Sequence, residues 1–147
     1  MEVKSMFSEN RVVFDLKAKT KNEVLDELIE VLVKDGKIID KDVFKKAVLK
    51  REEEFSTGIG MGIAIPHGKS NSVKEASIVF GLSKAGIDYK SMDDEPAHLF
   101  FLIAVPEESS DVHLRALSEI SRKLMHPETR EGIYKAKSFE EFIKAFD

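Results

Sequence analysis

The sequence predicts an α/β protein: a three-layer sandwich with a mixed, mostly parallel sheet of about five strands and helices on both faces. Three observations predict it. The run Leu99-Phe100-Phe101-Leu102-Ile103-Ala104-Val105 is apolar without alternation, as a central strand covered on both sides requires. Helical and strand patterns are interleaved around that run instead of segregating into separate halves. With 147 residues the chain suits one domain, 1–147, long enough to bury a hydrophobic core.

Each element has a local reason. Val12 to Leu16 is β-branched and aromatic, a first strand. Thr20-x-x-Glu23 is a capping-box pattern, and Val24, Leu25, Leu28, Ile29 and Leu32 then share one helical face until Asp35-Gly36 stops the helix. A second helix runs from about Lys41 into Arg51-Glu52-Glu53, with Phe44, Ala47 and Val48 inward. A glycine-rich loop and a short strand, Ile63 to Ile65, follow. Ala76 to Leu82 is a strand, and Ile87-Asp88-Tyr89 a very short one. Pro106 ends the central strand, and Asp111 can cap a helix from Val112 to Leu124. Pro127 opens a short helix, and Ser138-x-x-Glu141 caps a last one that buries Phe139, Phe142, Ile143 and Phe146.

Composition narrows the function classes. The formal net charge is −4 with no basic block, which disfavours direct nucleic-acid binding. The longest apolar run, Leu99 to Val105, is far short of a membrane span, and Met-Glu-Val-Lys-Ser has no apolar signal core. The absence of cysteine removes disulfides, thiolate nucleophiles and cysteine metal sites. A soluble cytoplasmic protein is the expectation, and numbering from Met1 favours a free-standing subunit over an excised domain.

Chemistry concentrates in one segment. Four of the eight glycines fall between Gly58 and Gly68, and they surround His67, which lies between a φ-fixing proline and a glycine that leaves room beside the ring. That reads as an imidazole presented at a loop. Of the other histidines, His126 suits a helix C-terminus and His98 a strand end, both structural. His113 shares the stripe of Leu117, Ile120 and Leu124, in the first turn of its helix, where free N–H groups attract phosphate. Spacing alone slightly favours a half-buried structural histidine there. Arg51 continues the inward stripe of its helix at the end nearest the glycine loop, where its guanidinium could hold a phosphate bidentately. Taken alone, a cation at a helix C-terminus is the simpler account. Glu52, Glu53 and Glu54 read as a solvated charged edge.

Together the three residues gain weight. Two imidazoles, a guanidinium and flexible N–H groups, with no fixed serine nucleophile and no lysine-terminated phosphate loop, suit a histidine that attacks a phosphoryl group while positive groups hold the oxygens.

These residues carry a resemblance. Arg51, then Ser56-Thr57-Gly58-Ile59-Gly60 and Gly62-Ile63-Ala64-Ile65-Pro66-His67-Gly68, resembles the enzyme IIA domain of the fructose/mannitol family of the phosphoenolpyruvate-dependent sugar phosphotransferase system. Pro96-Ala97-His98-Leu99 and Phe101 to Pro106 followed by Asp111-x-His113-Leu114 fit the same family, so the likeness spans nearly the whole chain. It implies a relay: the phosphocarrier HPr passes a phosphoryl group to His67, and His67 passes it to a cysteine of an enzyme IIB domain. The group then reaches sugar carried by the membrane-embedded enzyme IIC. It further implies His113 as the second active-site histidine, Arg51 as the charged partner that stabilises the phosphoryl group, Nε2 as the phosphorylated nitrogen, and no cofactor or metal. Ile59, Met61 and Ile63 would suit partner docking, although some of them belong to the core. Ile87-Asp88-Tyr89 and Leu124-Met125 resemble the fructose-type transporters more than the nitrogen-regulatory branch, which acts by binding regulatory targets.

Two rivals stand beside this reading. A metal-dependent hydrolase could use His67 and His113 as ligands, with Asp111 and Glu107 recruited, but no zinc-site spacing is present. A purely regulatory module would be phosphorylated on His67 without onward transfer.

Overall fold

The computed structural model describes residues 3–109 and 111–147; the side chains of Val112 and His113 lie outside the described residues. Eleven regular elements follow two N-terminal 3-10 turns: β1 (Val12–Val13), α1 (Lys21–Lys34), α2 (Lys41–Glu54), β2 (Gly58–Gly60), β3 (Ile63–Ala64), β4 (His67–Ser70), β5 (Ser77–Ile87), β6 (Ala97–Pro106), α3 (Val112–Leu124), α4 (Pro127–Lys135) and α5 (Phe139–Lys144).

The strands form one six-stranded mixed sheet in the order β1-β5-β6-β3-β2, with β4 pairing β6 beyond the end of β3. The pairings of β1 with β5 and of β3 and β4 with β6 are parallel, while the long β5/β6 pairing and β2/β3 are antiparallel. The sheet thus has one strand more than the sequence suggests. Two strands go beyond the sequence reading: β2, within the glycine-rich segment expected as a loop, and β4, whose His-Gly-Lys-Ser composition carries no strand propensity. Ile87 is the last residue of β5 and not a separate strand. The first strand is only Val12–Val13, although Leu16 still donates its N–H to the Leu82 carbonyl at 2.9 Å.

Alternation along β6 splits the core in two. Leu99, Phe101, Ile103 and Val105 pack with Ile120 and Leu124 of α3, Ile133 of α4 and Phe142 and Phe146. Phe100, Leu102 and Ala104 pack with Leu25, Leu28, Ile29, Leu32, Phe44 and Val48 of α1 and α2. This is the expected three-layer arrangement, and all five inward residues foreseen for α1 are buried. Both capping residues work: Thr20 Oγ1 and Ser138 Oγ each accept the N–H three residues on, at 3.2 Å.

Two features aim the site. Gly60, Met61 and Gly62 all have positive φ (95°, 57° and 77°), so β2 and β3 fold back in a tight turn. Met61, a non-glycine in that region, is held by an N–H bond to Asp93 Oδ2 at 3.0 Å. Gly68 serves a different purpose from the one its position beside His67 suggests. A Cβ there would lie 2.8 Å from Val48 Cγ2 and 2.9 Å from Phe44 Cε1, so its room is taken by α2 and not left beside the imidazole.

Candidate functional site

His67 is the first residue of β4, opposite Ile103 in register, not a residue of an open loop. Gly68 faces α2, so strand alternation turns His67 toward the α3 side of the sheet. Its half-buried ring makes one bond that decides its chemistry: Nδ1 lies 3.0 Å from the Ile65 carbonyl. A carbonyl can only accept, so Nδ1 carries the proton and Nε2 is the unprotonated nitrogen of the neutral ring. Burial pushes the His67 pKa below its ordinary value, and the charge of Arg51 acts in the same direction against the Ile65 bond and the Glu52 and Glu54 carboxylates. The neutral, nucleophilic form is therefore favoured at neutral pH.

Arg51 approaches from the C-terminal end of α2, where its Nη1 donates to the Phe55 carbonyl at 2.9 Å. Two clefts, of about 480 and 500 Å³, meet at Arg51, His67 and Leu117, which line both. The first also carries Lys50, Lys69 and Glu54, and the second Lys90, so both clefts present cationic side chains. His113 lies by its backbone in the first turn of α3, whose Leu114 and Leu117 line the clefts, but its side chain lies outside the described residues. The structure thus brings two of the three expected site residues together.

The other histidines keep structural settings. His98 is the second residue of β6, with Nδ1 2.8 Å from the Ser83 carbonyl. His126 lies at the α3–α4 junction, its Nδ1 3.7 Å from Glu128 Oε1. Among the described residues no group of three or more His, Asp or Glu side chains is arranged to hold a metal ion.

One reading of the charged segment needs correction. Glu52 is not part of a solvated edge; it is only 9% exposed. Its carboxylate accepts from Thr57 N–H at 3.1 Å, from Thr57 Oγ1 and from Tyr89 Oη at 3.1 Å, and pairs with Lys21 Nζ at 2.9 Å. A signal was available: Phe44, Val48 and Glu52 recur every four residues and so share one face of α2. Ile63 belongs to the core, Ile59 is half-buried and Met61 is exposed. The large exposed apolar side chains that line the clefts are Phe55 (79%), Met92 (79%) and Leu114 (57%), which sequence reasoning did not single out for docking.

Residues 5–147 match the family described as "Phosphoenolpyruvate-dependent sugar phosphotransferase system, EIIA 2". The chain is 43% identical over 143 residues to the PTS system fructose-specific EIIABC component of Bacillus subtilis (strain 168), covering 97% of this chain but only 22% of that protein. It is 42% identical over 119 residues to the PTS system fructose-specific EIIA component of Haloferax volcanii, covering 81% of this chain and 77% of that one. In fold it superposes on the nitrogen regulatory protein IIA-Ntr of Neisseria meningitidis with a TM-score of 0.90 and 26% identity, over 99% of both chains. A sequence match over nearly the whole length has one meaning: the chain belongs to the EIIA 2 family and is a phosphoryl-relay component of the phosphoenolpyruvate-dependent sugar phosphotransferase system.

Proposed function

We propose that His67 takes a phosphoryl group from phospho-HPr on Nε2 and passes it to a cysteine of an enzyme IIB domain, in the uptake of fructose through a membrane-embedded enzyme IIC. The observation that carries this reading is the Nδ1–H bond to the Ile65 carbonyl, which makes Nε2 the nitrogen with the in-plane lone pair. In the first step Nε2 attacks phosphorus, the nitrogen–phosphorus bond of the donor histidine breaks, and its electron pair returns to the donor imidazole. In the second, a cysteine thiolate attacks the same phosphorus and His67 leaves as neutral imidazole. Little bond chemistry is left to the protein, so alignment and charge dominate.

Arg51 answers the charge on the transferring oxygens with a permanent guanidinium, and His113 is proposed as the second active-site histidine. Phe55, Met92 and Leu114 form an apolar rim on which two successive partners can dock and release. Among the described residues no helix is long and apolar enough to cross a membrane. Identity above 40% to two fructose-specific proteins supports the sugar.

Two observations favour a second reading, a nitrogen-regulatory module whose phosphorylation changes partner choice: the close superposition on IIA-Ntr and 32% identity to a nitrogen regulatory protein of Bradyrhizobium diazoefficiens. Intact mass after incubation with enzyme I, HPr and phosphoenolpyruvate tests the site. An acid-labile phosphoryl gain in wild type that is absent from His67→Ala is expected. Onward transfer to a fructose IIB domain then separates uptake from regulation, since a purely regulatory module would retain its phosphoryl group.

A further inference from the structure

We propose that Glu52 is a positioning residue for phosphoryl transfer, holding both the backbone that orients the His67 ring and the helix end that carries Arg51. The proposal rests on His67 being the phosphoryl carrier, as argued above.

The path is continuous. Glu52 accepts from the N–H and Oγ1 of Thr57. The Thr57 carbonyl accepts the Ile65 N–H at 3.0 Å, and the Ile65 carbonyl is the partner of His67 Nδ1. One carboxylate thus fixes the peptide that fixes the tautomer. The same carboxylate follows Arg51 directly, on the last turn of α2, so the bonds that hold it also hold the root of the guanidinium. Lys21 at the start of α1 and Tyr89 after β5 complete its shell, with Lys21 Nζ 4.5 Å above the centroid of the Tyr89 ring.

Packing alone does not call for a charge here. A buried ion pair is costly to assemble and weak evidence of a stabilising role, because apolar residues of similar volume often do as well. A carboxylate does something that an apolar residue cannot: it accepts several donors at once and gives each a fixed direction. The donors it gathers lie on three separate segments, and Thr57 among them leads to the site.

The test uses the full chain and reads His67 directly. Long-range ¹⁵N spectra report which ring nitrogen carries the proton, and the initial rate of phosphoryl transfer from phospho-HPr is measured on the same preparations. Wild type shows Nδ1–H. In Glu52→Gln the two tautomers mix and transfer slows on the order of tenfold to a hundredfold, with a cooperative thermal transition retained. Thr57→Val moves both readouts the same way, and Thr57→Ser restores them. A folded Glu52→Gln protein with wild-type tautomer and rate overturns the proposal. If Glu52→Gln does not fold, the threonine pair decides, and equal behaviour of Thr57→Val and Thr57→Ser overturns it. The tautomer reading needs no phosphoryl donor, so it decides the hold of Glu52 on His67 even if wild type accepts no phosphoryl group, an outcome that would refute the relay itself.

Discussion

Gly68→Ala adds a single methyl group to the strand that begins with His67, and the structure says what that methyl meets. Its nearest neighbours would be Val48 Cγ2 at 2.8 Å and Phe44 Cε1 at 2.9 Å, both inside normal contact. Neither can step aside cheaply, because Phe44 and Val48 are fully buried on α2. Gly68 is not among the glycines with positive φ, so the cost is steric and not conformational. Overpacking a close-packed core by one methyl at two sub-contact distances costs about 2–3 kcal/mol. Removing a glycine from the unfolded chain returns about 0.5–1 kcal/mol. The net loss is about 1–2.5 kcal/mol, which lowers the thermal midpoint by about 3–8 °C for a chain with an unfolding entropy of about 0.3 kcal/mol/K. Differential scanning calorimetry of the two proteins side by side measures it. An unchanged or raised midpoint would refute the claim that α2 docks on β4 through the missing side chain, and with it the account of how α2 and His67 are held in register.

Three further outcomes are expected. Arg51→Lys keeps a positive charge but loses the planar fork, and the rate of phosphoryl transfer to His67 should fall at least about tenfold, read by quench-flow with labelled phospho-HPr; an unchanged rate means that a point charge suffices. Because burial and Arg51 lower the His67 pKa, its proton NMR titration should have a midpoint below the ordinary 6.5. The stability tied to the neutral ring is then present above pH 6.5 and lost as pH falls through the folded value; a midpoint at or above 6.5 contradicts this. Asp35→Ala strands Arg11, whose guanidinium lies 2.7 Å from Asp35 Oδ2 with side-chain exposures of 9% and 15%, and should cost about 3–5 kcal/mol in urea unfolding, whereas a loss below 1 kcal/mol would mean that the pair is solvated.

What the sequence announces here is whatever is local. The inward face of α1 needs only the spacing of Val24, Leu25, Leu28, Ile29 and Leu32, and β6 needs only its unbroken apolar run. His67 and Arg51 stand out because glycine clustering and helix-end position are visible in a few residues. Strands β2 and β4 are not visible, and His-Gly-Lys-Ser becomes β4 only because β6 offers a ladder to it and α2 covers it. Propensity is silent on both. For Glu52 the spacing from Phe44 and Val48 marks the inward face, but its partners Thr57, Lys21 and Tyr89 come from three separate segments, and no local pattern names them.

Pro66 shows where the two kinds of information meet. Lacking an N–H, it can make no ladder donation at the point where β3 gives way to β4, while its carbonyl still accepts the Ile103 N–H at 2.9 Å. The chain running beside β6 therefore breaks between Ala64 and His67 without losing its hold on β6. In that gap the Ile65 N–H is taken by Thr57 and the Ile65 carbonyl turns to the imidazole of His67. A histidine in an unbroken strand would offer its ring with no backbone acceptor two residues before it, and either nitrogen could carry the proton. The proline beside His67 is legible in the sequence as a fixed φ; that it converts a ladder position into a tautomer lock follows only once β6 and Thr57 are seen on either side of it.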